Sequence, residues 1–285
     1  MNRSEVEGRV SAAAVATTAL LFAACASNPA DRSNLDATLW VQTSAEYDAV
    51  ARSVYFAAAR DLPLLLADSS LTAALEQQGS YENLPAAVIL DVDETALDNS
   101  PYQARLLASG EAYSSETWAQ WVEEGIAEAV PGAVEFARRA DRLGVTVFYV
   151  TNRRSPQEAA TRVNLMDVGF PLSDDQDVLL MRGEKPEWTG AKGSRRELVS
   201  RTHRVLMLIG DDLNDFVDAD GLSVAERDSL ARLHSAYWGE RWRMLPNPTY
   251  GSWERALFGS DFGLDRAERT EMKETHLEPR GEIND

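Results

Sequence analysis

The sequence predicts an α/β fold: a parallel sheet flanked by helices, with a small, mostly helical insertion. Three observations predict it. Short apolar runs at Ala86–Leu90 and at residues 145–150, 178–181 and 205–209 lack clean polar alternation, as strands covered on both faces do. Segments with helical period or helix-boundary signals separate these runs. Acidic and hydroxyl residues stand just beyond three of them, at the sheet edge where open α/β folds hold their ligands.

In chain order, Tyr47, Val50, Val54, Tyr55, Ala58 and Leu62 recur at helical spacing and predict a helix over residues 44–62. The first strand follows at Ala86–Leu90. Residues 95–130 form the insertion, with Trp118 and Trp121 three apart. Val130-Pro131-Gly132 opens a helix with proline near its first position, and Gly144 closes it. Ser155-Pro156-Gln157-Glu158 reads as a capping box for a helix that stops at Gly169. A further helix is expected over residues 191–200, and a late strand near residues 242–245 leads into Pro246-Asn247-Pro248. Residues 260–285 are mostly charged or polar and read as a solvated tail with room for a frayed helical turn.

The chain has 285 residues, 44% of them hydrophobic and 26% charged, enough to bury a sizeable core in ordinary soluble proportions. Its net charge of −18 is not interrupted by any basic block, which argues against a nucleic-acid polymer as partner. A small anionic substrate stays compatible, because a metal ion and a few local cations can dominate a pocket.

The amino terminus reads as a processing signal. Residues 10–24 are small or apolar and uncharged, too short for a membrane span and right for a signal-peptide core. They end at Cys25, the one cysteine, and Leu21-Phe22-Ala23-Ala24-Cys25 resembles a bacterial lipobox. The expected organisation is a signal peptide at 1–24, a tether at 25–37 rich in Ser, Asn, Asp and Pro, a folded domain at 38–259, and the tail. An ordinary secretory signal with an incidental cysteine is the alternative. Cys25 is the expected lipidation site, and Ala26 after it implies an outer-membrane anchor, facing periplasm or cell surface.

Four elements carry chemistry. Asp91-Val92-Asp93-Glu94-Thr95 follows the first strand, and residues i and i+2 of an extended chain point the same way, so Asp91 and Asp93 can share a pocket. A calcium loop would need Gly at its sixth position and Glu at its twelfth, where this chain has Ala96 and Tyr102. Thr151-Asn152 closes the second strand and can hold a phosphoryl oxygen through hydroxyl and backbone N–H groups. Lys192 is one of three lysines among 28 basic residues, a compact point charge where arginine is the habit. Gly210-Asp211-Asp212-Leu213-Asn214-Asp215 follows the strand at 205–209. Placed beside Asp91 and Asp93 it would be strongly repulsive unless it bound a cation, and Mg²⁺ fits such oxygen donors.

The ordered set resembles the haloacid-dehalogenase (HAD) superfamily, and its class C acid phosphatase branch of bacterial lipid-anchored phosphatases and 5′-nucleotidases. Phe148-Tyr149-Val150-Thr151-Asn152-Arg153, Val130-Pro131-Gly132-Ala133 and Leu245-Pro246-Asn247-Pro248-Thr249-Tyr250-Gly251 support it, and the likeness spans residues 39–259. It implies a HAD-like Rossmannoid sheet and a magnesium-dependent phosphomonoesterase. In it Asp91 is the nucleophile and Asp93 the acid/base. The metal is held by Asp91, the Asp93 carbonyl, Asp211 and Asp215. Thr151, the Asn152 amide and Lys192 stabilise charge on the phosphoryl oxygens. Aromatics of the insertion (Trp118 or Trp121) and Tyr250 would stack on a nucleobase or aryl group, unless the two tryptophans share a buried face. A homodimer is compatible. The competing expectations are a HAD hydrolase of sugar phosphates and a lipid-anchored binding protein without turnover.

Overall fold

The computed structural model describes residues 33–280 apart from 174 and 262. The expected signal segment, the expected lipidation site Cys25 and most of the expected tether lie outside the described residues. Among the described residues no helix is long and apolar enough to cross a membrane. The elements run α1 (Leu35–Thr43), α2 (Ala45–Ala67), β1 (Ala86–Leu90), β2 (Leu97–Asp98), α3 (Ser100–Ser109), α4 (Ser115–Glu124), β3 (Glu128–Ala129), α5 (Ala133–Arg142), β4 (Thr146–Arg154), α6 (Glu158–Val168), β5 (Leu179–Arg182), α7 (Gly193–Thr202), β6 (Arg204–Gly210), α8 (Val224–Leu233), β7 (Trp242–Met244), α9 (Ser252–Ala256) and α10 (Arg266–Glu274).

Five strands form one parallel sheet in the order β5-β4-β1-β6-β7, while β2 and β3 pair antiparallel inside the insertion. Every residue of β1 and of β6 is buried, which is why these strands read as continuous apolar runs. The chain adds strands outward from β1 to β4 and β5, then returns to the other side of β1 for β6 and β7. That reversal makes the carboxyl end of β1 a topological switch point, where a crevice opens between diverging loops. Right-handed crossovers then put α7, on the return connection, on the sheet face opposite α5 and α6.

Helix α5 shows how the flanking layer is specified. Ala133, Phe136, Ala137 and Ala140 are its buried residues, at i, i+3, i+4 and i+7, and two arginines end it. Helix α2 packs beside it through Tyr55, whose ring lies 5.8 Å from that of Phe136. Pro63 sits inside α2 and cannot donate to the carbonyl four residues back. That carbonyl, Ala59 O, instead accepts from Arg139 Nε of α5 at 2.8 Å, so the helix continues to Ala67.

Several local expectations shift by a residue or more. Val50, expected on the buried face of α2, is exposed, and Ala51 is buried in its place. Pro131 lies ahead of the α5 cap, which is Gly132 at φ 90°. The capping bond near Ser155 is made one residue earlier: Arg154 N–H donates to Gln157 Oε1 at 2.8 Å over a 3-10 turn (Ser155–Gln157), and α6 starts at Glu158. The polar tail carries α10, capped by Asp265 and tied back by Lys273 to Glu254 and by His276 Nε2 to Leu257 O at 3.0 Å.

Candidate active site

The loops at the carboxyl ends of β1, β4 and β6, with the start of α7, converge on one cluster. Asp91 is the first residue after β1, and its backbone N–H still donates to Ile209 O of β6 at 3.0 Å, so the sheet itself fixes its position. Lys192, the cap residue of α7, sends its buried ammonium between two carboxylates: it contacts Asp91 Oδ1 and lies 2.7 Å from Asp215 Oδ1. Asp91, Asp211 and Asp215 each offer an oxygen, all within 4.8 Å of one another.

The β6 loop is built for this. Asp215 folds back so that its Oδ2 accepts from the N–H groups of Asp211 (3.1 Å) and Asp212 (2.9 Å). A Cβ on Gly210 would lie 2.4 Å from the Asp215 Cβ, so only glycine lets that carboxylate approach. Asp211 in turn accepts from Thr95 Oγ1 at 3.1 Å and from Asn247 Nδ2 at 2.8 Å. Asp212 faces away from the cluster and caps the loop through Asn214 N and Ser252 N.

Electrostatics mark the cluster as cation-seeking. Among the protein groups alone, burial first, then Asp215 and Asp93, push Asp91 up to about 7 against the pull of Lys192. Burial, then Asp215 and Asp91, hold Asp211 well above the ordinary carboxylate range. Burial disfavours the Lys192 ammonium, but Asp215 and Asp91 outweigh it and raise its pKa. Three clustered carboxylates facing one ammonium, with hard oxygen donors and no softer ligand, fit a hard divalent cation.

Asp93 stands apart from that cluster. Its Oδ1 accepts from Arg153 Nε at 2.9 Å and from Asn99 Nδ2 at 3.0 Å, and Arg153 Nη2 makes an ion-pair contact with it at 2.8 Å. Asn99 in turn accepts from Trp121 Nε1 at 2.8 Å. Next to Asp93 the backbone turns through Glu94 at φ 59°, a left-handed conformation a non-glycine residue adopts only when its surroundings impose it. The turn directs Glu94 inward, where it accepts from Asn99 N at 2.9 Å and from the Tyr250 hydroxyl. Burial first, then Asp93, push Glu94 up to about 8.

Thr151 lies buried in β4, and its carbonyl accepts from Arg195 of α7. Asn152 follows at the sheet edge with its side chain engaged: Nδ2 donates to Gly190 O at 2.9 Å and Oδ1 accepts from Arg195 Nη2 at 2.7 Å. The side chain of Asn152 thus braces the loop before α7, and the group expected to meet a phosphoryl oxygen is its backbone amide.

The aromatic expectations divide. Trp121 is 2% exposed, part of the core, with Arg105 over its ring at 4.8 Å, so it presents no face to a ligand; the expected stacking role is corrected to a structural one. Trp118 is partly exposed. Its ring lies 5.7 Å above the Arg153 guanidinium carbon and 6.4 Å from Tyr113, which is 61% exposed. Tyr250 reaches the site hydroxyl first, bonded to Glu94. Glu94, Asn99, Arg153, Arg195, Asn247 and Tyr113 were not singled out from the sequence. Asn99 is five residues beyond Glu94, and Arg153 directly follows Asn152, but neither residue type is unusual at those places.

A parallel sheet in this strand order, with an aspartate pair beyond its central strand and a lysine-bridged acidic loop beyond its neighbour, defines the HAD-like class of fold and site. The family described as HAD superfamily, subfamily IIIB (Acid phosphatase), matches residues 3–253, and the chain belongs to it. The chain is similar to the structure of the class C acid phosphatase from Bacillus anthracis, at 34% identity and a TM-score of 0.75 over 87% of this chain and 98% of that one. A second structure of that protein, with tungstate bound, is similar at 33% identity and the same TM-score. Acid phosphatase 1 of Solanum lycopersicum is 30% identical over 166 residues, 57% of each chain. Stem 28 kDa glycoprotein of Glycine max is 26% identical over 136 residues, 45% of this chain and 52% of that one. The chain therefore matches little more than half the length of these curated relatives.

Proposed function

We propose that the chain is a magnesium-dependent phosphomonoesterase that works through an aspartyl-phosphate on Asp91. The observation that carries the reading is the Asp91 carboxylate held at the switch point between Lys192 and the Asp211 and Asp215 carboxylates. Names of similar proteins agree with it, as does tungstate, a tetrahedral oxyanion, in the Bacillus anthracis structure.

Asp91 attacks phosphorus through one carboxylate oxygen, breaking the bond to the leaving oxygen. Asp93 gives that oxygen a proton and later takes one from the water that hydrolyses the acyl phosphate. Lys192 holds the nucleophile and offers positive charge beside the transferring group. Thr151 and the backbone at Asn152 border the same edge and hold phosphoryl oxygens. Asp91, Asp211 and Asp215, with the Asp93 carbonyl, would hold Mg²⁺. When bound, the ion neutralises charge on the phosphoryl oxygens.

Trp118 and Tyr113 offer an aromatic surface beside Arg153, and Tyr250 closes the other side through Glu94. That composition favours nucleoside monophosphates and aryl phosphates, whose rings stack without reading base identity. The lipobox at Cys25 supports an outer-membrane lipoprotein whose domain faces the periplasm or cell surface. Phosphate release from p-nitrophenyl phosphate, with magnesium and after chelation, tests the reading on the wild type and on Asp91→Asn. Loss of release in both the chelated enzyme and the variant is expected. Turnover near the wild-type rate in Asp91→Asn would overturn the mechanism.

A further inference from the structure

The side-chain contacts of Asp93 all converge on one of its two oxygens. Arg153 Nε, Arg153 Nη2 and Asn99 Nδ2 lie 2.8–3.0 Å from Oδ1, and among the described residues Oδ2 has no hydrogen-bond partner. The donor set is itself locked. Indole N–H groups only donate, so Trp121 Nε1 at 2.8 Å fixes Oδ1 of Asn99 toward itself and turns the Asn99 amide nitrogen toward Asp93 and Glu94. Arg153 is 2% exposed and is braced by Thr161 Oγ1 at 3.2 Å and Asn99 Oδ1 at 3.4 Å. Asn99 is fully buried and Trp121 nearly so, which leaves neither able to touch a substrate.

From this we infer that Trp121, Asn99 and Arg153 are positioning residues for proton transfer. They hold Asp93 by Oδ1, so that Oδ2 alone exchanges the proton. The inference rests on the phosphomonoesterase reading above. In the first step the proton on Oδ2 passes to the leaving oxygen as its bond to phosphorus breaks. In the second, Oδ2 takes a proton from water as the remaining hydroxide attacks the phosphorus of the Asp91 acyl phosphate. The bond from phosphorus to the Asp91 oxygen breaks, releasing inorganic phosphate and the free carboxylate. Oδ1 keeps its contacts with Arg153 and Asn99 throughout. Because Asn99 caps α3 and Trp121 lies on α4, the insertion sets the orientation of this carboxylate from outside the sheet.

Leaving-group selectivity separates positioning from mere support. An ester with a leaving group as acidic as dinitrophenol needs no proton, whereas glycerol phosphate does. The quantity to compare is kcat/KM, which reports the step up to phosphoryl transfer and is blind to hydrolysis of the intermediate. Trp121→Phe keeps an aromatic ring and removes the indole N–H; Arg153→Lys keeps charge and loses the fork. Both are expected to lose about tenfold or more on glycerol phosphate and under about threefold on 2,4-dinitrophenyl phosphate, at saturating magnesium. A partly misfolded variant lowers both values by the same factor, so the activated ester is the internal control. Equal losses on the two esters, or no loss on glycerol phosphate, would overturn the positioning role. Failure of the wild type to release phosphate from either ester would instead overturn the phosphomonoesterase reading.

Discussion

Replacing Lys192 by methionine removes the one cation between Asp91 and Asp215 while keeping an unbranched stem of similar length. Two charge-assisted hydrogen bonds disappear, each worth about 1.5–3 kcal/mol. The carboxylates left behind are buried, and breaking such a pair costs about 3–5 kcal/mol. Part of that is offset, because Asp91 already sits at about 7 and takes up a proton readily once its ammonium is gone. A net loss of about 3 kcal/mol follows, which for a domain of this size lowers Tm by roughly 6–12 °C. The deficit belongs to unopposed negative charge, so a divalent ion should restore it. Thermal melts with chelator and at millimolar magnesium measure both effects. The variant should gain more from magnesium than the wild type does, while losing phosphate release. A variant that melts with the wild type in chelator, or that gains no more from magnesium, would refute the assignment of Lys192 as the cluster's counterion.

Further outcomes follow from the same geometry. Asp91 and Asp211 are both raised by burial, so near pH 7 a cation entering the cluster must displace protons, and its apparent affinity rises with pH. Calorimetric titration of magnesium in two buffers of different ionisation enthalpy should give different heats, and identical heats would contradict this. Trp118→Ala should raise KM for adenosine monophosphate about tenfold and leave that for glycerol phosphate unchanged, since stacking on a base is worth roughly 1–3 kcal/mol. Burial lowers the pKa of His203, whose Nδ1 lies 2.9 Å from Thr202 Oγ1 beside Phe148. The unfolded chain therefore binds a proton the folded one resists: stability is full above about 6.5 and falls as pH drops below it, by at most about 1.4 kcal/mol per pH unit. Denaturant titrations of His203→Gln across pH 5–7 should lack that part of the slope.

What was legible in the sequence is what single segments encode. A strand buried on both faces must be a near-continuous apolar run, and a ligand-holding loop must begin where it stops, so Asp91, Thr151 and Asp211 could be placed from order alone. Lys192 stood out because lysine is scarce in this chain. The misses are groups whose meaning comes from a partner far along the chain. Arg153 is one more arginine among many until Asp93 lies 2.8 Å away. Spacing i, i+3 puts Trp118 and Trp121 on one side of α4 but does not say which of them the core closes over. Gly210 could be read as part of a motif, whereas its cause, the Asp215 carboxylate folded beneath it, is visible only in three dimensions. Helix caps slipped by a residue because Pro and Ser fit several adjacent cap positions equally well.

The contacts that hold the site together join residues 60, 101 and 156 positions apart: Asp93 with Arg153, Asp91 with Lys192, and Glu94 with Tyr250. None of them can form inside a nascent hairpin or a single helical pair, and each closes a loop whose entropy is recovered only when its neighbours are docked. Activity is thus a late reporter of assembly. During refolding it should emerge with the slowest phase that completes the sheet, after fluorescence and helicity have already risen. A nick that lets the segment bearing Tyr250 depart would silence the enzyme while most of its mass stayed native.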